Sequence, residues 1–211
     1  MRNRVIIILA ILVIFAGNVF SVEIIWNQYA LKLNLKERLN LSVSLENRYD
    51  DRLGGYFYSH YDYGFDFKVN NFLSIGPYYR QVFEIKNSNW ITEYRPYLYI
   101  KGKYNFGKMS VEVRDKIVRR IKSDEKLLRN RTQLRVNFPV YIEFSLKPFI
   151  AYELFYESDV QDFNRNRVYV GIGFYPAKRI GLALIYVLES KKRNDLWRSS
   201  DIIAINFSLS R

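Results

Sequence analysis

Apolar and polar residues exchange places one for one along most of this chain. Leu39, Leu41, Val43 and Leu45 alternate with Asn40, Ser42, Ser44 and Glu46. Tyr61, Tyr63, Phe65 and Phe67 alternate with Asp62, Gly64, Asp66 and Lys68. Ile150, Tyr152, Leu154 and Tyr156 stand opposite Ala151, Glu153 and Glu157, and Ile203, Ile205, Phe207 and Leu209 opposite Ala204, Asn206 and Ser208. A period of two places each set on one face of an extended strand, whereas a helix needs a period of 3.6. Eleven such runs can be marked, including residues 25–35 and 111–121. Residues 115–128 have a weak helical reading, but the alternation before them favours a strand top and a charged loop. The pattern predicts an all-β chain.

The connections favour one antiparallel up-and-down sheet of about 10–12 strands. Short turns fall at Lys36-Glu37-Arg38, Val69-Asn70-Asn71, Asn105-Phe106-Gly107-Lys108 and Pro176-Ala177-Lys178. Longer polar links lie between them, at 47–55, 86–89, 122–126, 158–166 and 190–200. Short and long connections in alternation predict a barrel with tight turns at one rim and loops at the other. Single-chain bacterial barrels usually carry an even number of strands, and Pro139 offers a place where one run breaks. No linker interrupts residues 22–211, which reads as a single domain.

Residues 1–21 have a different grammar. Arg2 and Arg4 precede an apolar run over residues 5–16, and Gly17 and Asn18 end it. The run is short for a bilayer crossing, and the segment reads as a cleaved signal peptide that exports the chain. No later stretch has the roughly 18 apolar residues of a helical span.

Alternation alone does not say which face is outside. A lipocalin-like barrel hides its apolar rows; a transmembrane barrel turns them to lipid and encloses the polar ones. The apolar rows here are four to five positions deep, near the length of a tilted strand in hydrocarbon. The opposite rows carry both signs of charge. Aromatic residues gather at strand ends (Tyr56, Phe57, Tyr58, Tyr104, Phe106, Phe155, Tyr156, Tyr175), where a water–lipid boundary would hold them. A closed sheet also satisfies every backbone N–H and C=O in lipid. The sequence therefore predicts a transmembrane β-barrel with a polar, Arg/Glu-rich interior in the bacterial outer membrane. The lipid bilayer is its surroundings, and lipopolysaccharide is a candidate partner for cations such as Lys191-Lys192-Arg193.

The candidate interior ion pairs are Glu46, Arg48, Arg80, Glu84, Glu93, Arg95, Glu112, Arg114, Arg129, Arg131, Arg135, Glu153, Arg165 and Arg167. The plain reading is that they neutralise one another, with Glu143 in the same network. The sharper reading is a narrow, anion-leaning pore, because rings of Arg and Lys select anions. The balance of 33 Lys and Arg against 21 Asp and Glu, a net charge of +12, favours it. The charge is spread over strands rather than gathered in a patch, so nucleic acid is not an expected partner.

Chemistry has little to work with. Cys is absent and His occurs once, at position 60. That excludes disulfides, thiolate metal sites and His-pair metal sites within one chain, and no metal or cofactor is expected. A wall-embedded Ser/His enzyme acting on lipids needs a serine on His60's own face, and adjacent Ser59 points the other way. His60 reads as a loop or rim residue. Asp50-Asp51 offers only a weak calcium reading.

Several motifs resemble an uncharacterised bacterial outer-membrane β-barrel family, a domain of unknown function. They are Trp26 in the first strand, Leu45-Glu46-Asn47-Arg48, and Arg129-Asn130-Arg131-Thr132-Gln133-Leu134-Arg135. The longest is Lys147-Pro148-Phe149-Ile150-Ala151-Tyr152-Glu153-Leu154-Phe155-Tyr156. Asn164-Arg165-Asn166-Arg167-Val168-Tyr169-Val170-Gly171 and the Leu184-Ile185-Tyr186 strand follow. The resemblance spans nearly all of residues 22–211. It implies a barrel and an envelope location, and no activity. The expected role is a non-enzymatic barrel, either structural or a narrow pore; a soluble periplasmic barrel holding an apolar ligand is the alternative.

Overall fold

The computed structural model describes residues 22–122, 125–139, 146–194 and 196–211. The export segment at 1–21 and Glu143 lie outside them. Eleven strands follow one another: β1 (Ile24–Lys36), β2 (Leu39–Asp50), β3 (Gly55–Lys68), β4 (Leu73–Lys86), β5 (Asn89–Phe106), β6 (Met109–Lys122), β7 (Glu125–Asn137), β8 (Leu146–Glu157), β9 (Asp162–Ala177), β10 (Ile180–Arg193) and β11 (Leu196–Ser210). Each pairs antiparallel with its sequence neighbour, and β1 meets β11 to close the ring.

Eleven strands lie within the expected 10–12 and equal the number of alternating runs, although single-chain bacterial barrels usually have an even count. With eleven up-and-down strands the first and last run the same way, so the seam is parallel, from Ile24 opposite Ile202 to Lys32 opposite Ser210. Backbone bonds continue past the paired stretch: Arg211 N–H donates to Lys32 O at 2.9 Å, and Asn34 N–H to Arg211 O at 2.7 Å. No strand edge is left open between β1 and β11.

The two rims also differ less than expected. The β4–β5 connection is only Asn87-Ser88, both at positive φ, because the strands themselves run on through the polar stretch. At the rim expected to carry only tight turns, β7 ends at Asn137 and β8 begins at Leu146.

The alternating rows part inside from outside. The outer wall carries large apolar side chains around the ring: Leu31 and Val43, Phe65 and Phe67, Leu98 and Ile100, Val113 and Ile117, Leu134, Ile150, Leu184, Ile205 and Leu209, all exposed. Towards the β2–β3 rim this belt gives way to a row containing Tyr29, Tyr61 and Tyr94, and then to one containing Asn27, Asn47, Ser59 and Thr92. Ser59 Oγ donates to Asn47 Oδ1 across that boundary at 2.8 Å.

The interior is not wholly polar. Trp26, Phe149, Ile185, Val187, Ile202 and Ala204 form a buried cluster on the inner wall, and Tyr97, Tyr99 and Val118 form another. Phe149 is admitted by its cross-strand partner Gly171. A Cβ on Gly171 would lie 2.5 Å from the Phe149 ring. Gly171→Val is expected to destabilise the barrel by about 1–3 kcal/mol through overpacking, read as a lower urea midpoint of unfolding.

Candidate functional site

The lumen encloses a cavity of about 1140 Å³. The strand period points the inner rows of all the walls into it. Its ionic side chains fall into two arrangements.

The first is an arc of ion pairs across β5 to β10, in the half nearer the β2–β3 rim. Arg95 Nε and Arg120 Nε both donate to Glu93, at 2.8 and 2.5 Å. Arg120 also lies 3.6 Å from Glu157, which pairs with Arg129. Further round, Arg131 donates to Glu153 at 2.9 Å, Arg167 approaches the same carboxylate at 3.7 Å, and the Tyr169 hydroxyl donates to it at 2.7 Å. Arg167 then reaches Glu189 at 2.6 Å, with Arg165 3.9 Å from it. Each run strings three arginines on two glutamates, so each keeps one positive charge. The pairs are buried, where an unpartnered charge would be very costly. Aromatic faces carry the remaining guanidinium surface: Arg48 and Arg167 lie over Trp26 at 4.1 and 4.9 Å, and Arg131 over Phe155 at 4.8 Å.

The second arrangement is a set of cations without carboxylates. Arg114 donates to Gln133 Oε1 at 2.9 Å. Arg135 donates to Asn137 and stacks on Phe149 at 3.6 Å. Lys116 lies over the Tyr97 ring at 4.6 Å. Neither these three nor Lys101 forms an ion pair among the described residues. They belong to the inner wall of β5–β7. The ring order places β11, β1 and β2 across the lumen from them. There Gln28, Ala30, Ser44, Ala204, Asn206 and Ser208 share the lining with Lys32, which pairs with Asp66 at 3.5 Å, and with the Glu46–Arg48 pair. A wall of unpaired cations therefore faces one whose charges are ion-paired. Around the whole cavity, the described residues contribute sixteen Lys and Arg side chains and seven Asp and Glu.

Of the residues singled out from sequence, Glu46 pairs with Arg48 at 2.7 Å and Glu93 with Arg95. Arg80 turns to Asp62 at 2.6 Å rather than to Glu84, which takes Lys86 at 3.4 Å. Glu112 takes Lys103 at 3.3 Å, leaving Arg114 to Gln133. Asp62, Asp66, Arg120 and Glu189 complete the network and were not among the candidates; Glu157, on the same sequence face as Glu153, joins it through Arg129 and Arg120. Their signal was present, since Asp62 and Asp66 stand in the polar row of β3. The inward tyrosines carried no such signal: Tyr78 donates to Asp66 at 3.0 Å, Tyr97 to Asp62 at 2.8 Å, and Tyr99 also to Asp66.

His60 lies in mid-β3, 1% exposed on the inner face, not at a rim. Register puts it between Glu46 and Val82. Its Nδ1 is 3.8 Å from Glu46, and neither ring nitrogen has a hydrogen-bond partner. No serine is bonded to it. Among the described residues no three His, Asp or Glu gather in a metal-binding group.

A closed β-barrel with an ionic interior and an apolar outer belt is the class that fold and lumen define. Residues 23–200 match the profile of a family described as "Protein of unknown function (DUF2490)", and the chain belongs to that family. No curated protein matches the chain. Among solved structures it is similar to an anion-selective porin from Comamonas acidovorans (14% identity, TM-score 0.41, 79% of this chain and 55% of that one). It is also similar to OmpT, an outer membrane protein of Vibrio cholerae (10%, 0.37, 77% and 58%). A third is the siderophore receptor PirA from Pseudomonas aeruginosa (16%, 0.34, 79% and 35%). The chain spans about half the length of the first of these, and at these identities the likeness is one of fold.

Proposed function

We propose that this protein is a non-enzymatic outer-membrane β-barrel whose lumen admits small anionic solutes. The observation that carries the reading is the unpaired cationic wall of Lys101, Arg114, Lys116 and Arg135, facing across the cavity a wall whose charged residues Lys32, Glu46 and Arg48 are ion-paired. Such a wall attracts anions, and the small residues opposite leave them room. The exposed apolar belt supports the membrane placement, since aliphatic rows around a whole molecule need lipid rather than water. Lys192, near the end of β10, pairs with Asp162 at 3.1 Å at the rim, and lipopolysaccharide phosphates are the external anions that pair would meet.

The test is conductance in a planar bilayer under a potassium chloride gradient. Discrete openings whose reversal potential favours chloride are expected. Arg114→Glu combined with Lys116→Glu should move that potential towards the cation side. Silence at both polarities, or cation preference in the unaltered protein, would discard the pore. Silence would favour a structural barrel in which the ionic arc fills the lumen.

A further inference from the structure

One patch of the outer wall breaks the belt. Asp115 on β6 points outward between Val113 and Ile117, opposite Ile100 on β5 and Thr132 on β7. Ile100, Val113, Ile117 and neighbouring Leu134 are 45, 48, 53 and 48% exposed, so the carboxylate sits inside the apolar belt and not at its polar edge. It is held there: Thr132 Oγ1 donates to Asp115 Oδ1 at 2.6 Å, and Asn130 Nδ2 to Oδ2 at 2.9 Å. Facing acyl chains, such a group is costly, and its remaining lone pairs would have no donor.

We infer that the outer face of β6–β7 is covered in the membrane by a second copy of this chain. Each face offers acceptors, the open lone pairs of Asp115, beside a donor, the second N–H of Asn130. A set that carries both is complementary to itself. Two copies inserted in the same sense are related by a two-fold axis along the membrane normal, which brings equal depths together and lets the Asn130 of each serve the Asp115 of the other. That is the self-complementary contact of a closed dimer. Desolvated between two proteins, the patch becomes a source of affinity, as polar side chains are between membrane segments.

This inference rests on the membrane placement but not on the pore. The chain contains no cysteine, so one introduced thiol reports only contacts between chains. The full chain carrying Ile117→Cys, expressed in a Gram-negative host and treated in membranes with a short bis-thiol reagent, should give a band of twice its mass. Leu184→Cys, on the outer face of β10, should not. Adding Asp115→Leu to Ile117→Cys should abolish the band while heat-modifiable gel migration shows the barrel still folded. A membrane-inserted Ile117→Cys chain that stays monomeric, or equal bands from both positions, overturns the proposal. So does an adduct with a different protein, which would give this face to another partner. Recovery of the chain without detergent would instead sink the membrane reading, and this inference with it.

Discussion

Glu153→Ala is expected to destabilise the folded barrel by about 3–5 kcal/mol, the usual consequence of breaking a buried ion pair from one side. Glu153 is 1% exposed, accepts from Arg131 and Tyr169, and lies 3.7 Å from Arg167. Removing it strands Arg131 without its carboxylate, takes away the acceptor of the Tyr169 O–H, and throws Arg167 wholly onto Glu189 for its ion pair. Glu153→Gln keeps the shape and part of the hydrogen bonding, so its loss should be smaller. Urea titration of the protein refolded into vesicles, followed by heat-modifiable migration, measures both. A Glu153→Ala variant within about 0.5 kcal/mol of the unaltered protein, the range of an ordinary surface change, would show that lumen water solvates the arginines and that the arc holds nothing together.

The arc also shows how far a sequence reading reaches. Period two is local, so the strands and the polar faces of Glu46, Glu93, Arg131 and Arg167 were legible from neighbours two residues away. Partner choice is set by register between strands. Arg80 and Asp62 are directly opposite on β4 and β3, and that pairing depends on turn lengths and closure, not on the spacing of Arg80 from Glu84. Part of the interior was hidden for another reason. In Leu182-Ala183-Leu184-Ile185-Tyr186-Val187-Leu188 both faces are apolar, so the alternation fades and the inward turn of Ile185 and Val187 beside Trp26 goes unmarked. Asp115 escaped notice because residues 115–128 read as a strand top and a charged loop, whereas β6 carries it at mid-strand. Only the exposure of Val113 and Ile117 on either side of it reveals the outward face.

Leu184→Arg is expected to cost about 2–4 kcal/mol in a lipid bilayer, the cost of a cation near the middle of a barrel's lipid face. Leu184 lies on the outer wall, 49% exposed, paired with Ile172 on β9 and Ile205 on β11. Nothing within the protein can receive a guanidinium there, and mid-belt placement limits snorkelling to either headgroup layer. Ser44→Arg makes the opposite case: its side chain joins the lumen lining beside Ala30, where water receives the new charge at little cost. The two substitutions add the same group to opposite faces of one sheet, so their difference measures which face meets lipid. In a water-soluble barrel an arginine at an exposed leucine would be harmless or would improve solubility. Equal midpoints for the two variants in vesicles would therefore contradict the membrane orientation directly, whatever the lumen conducts.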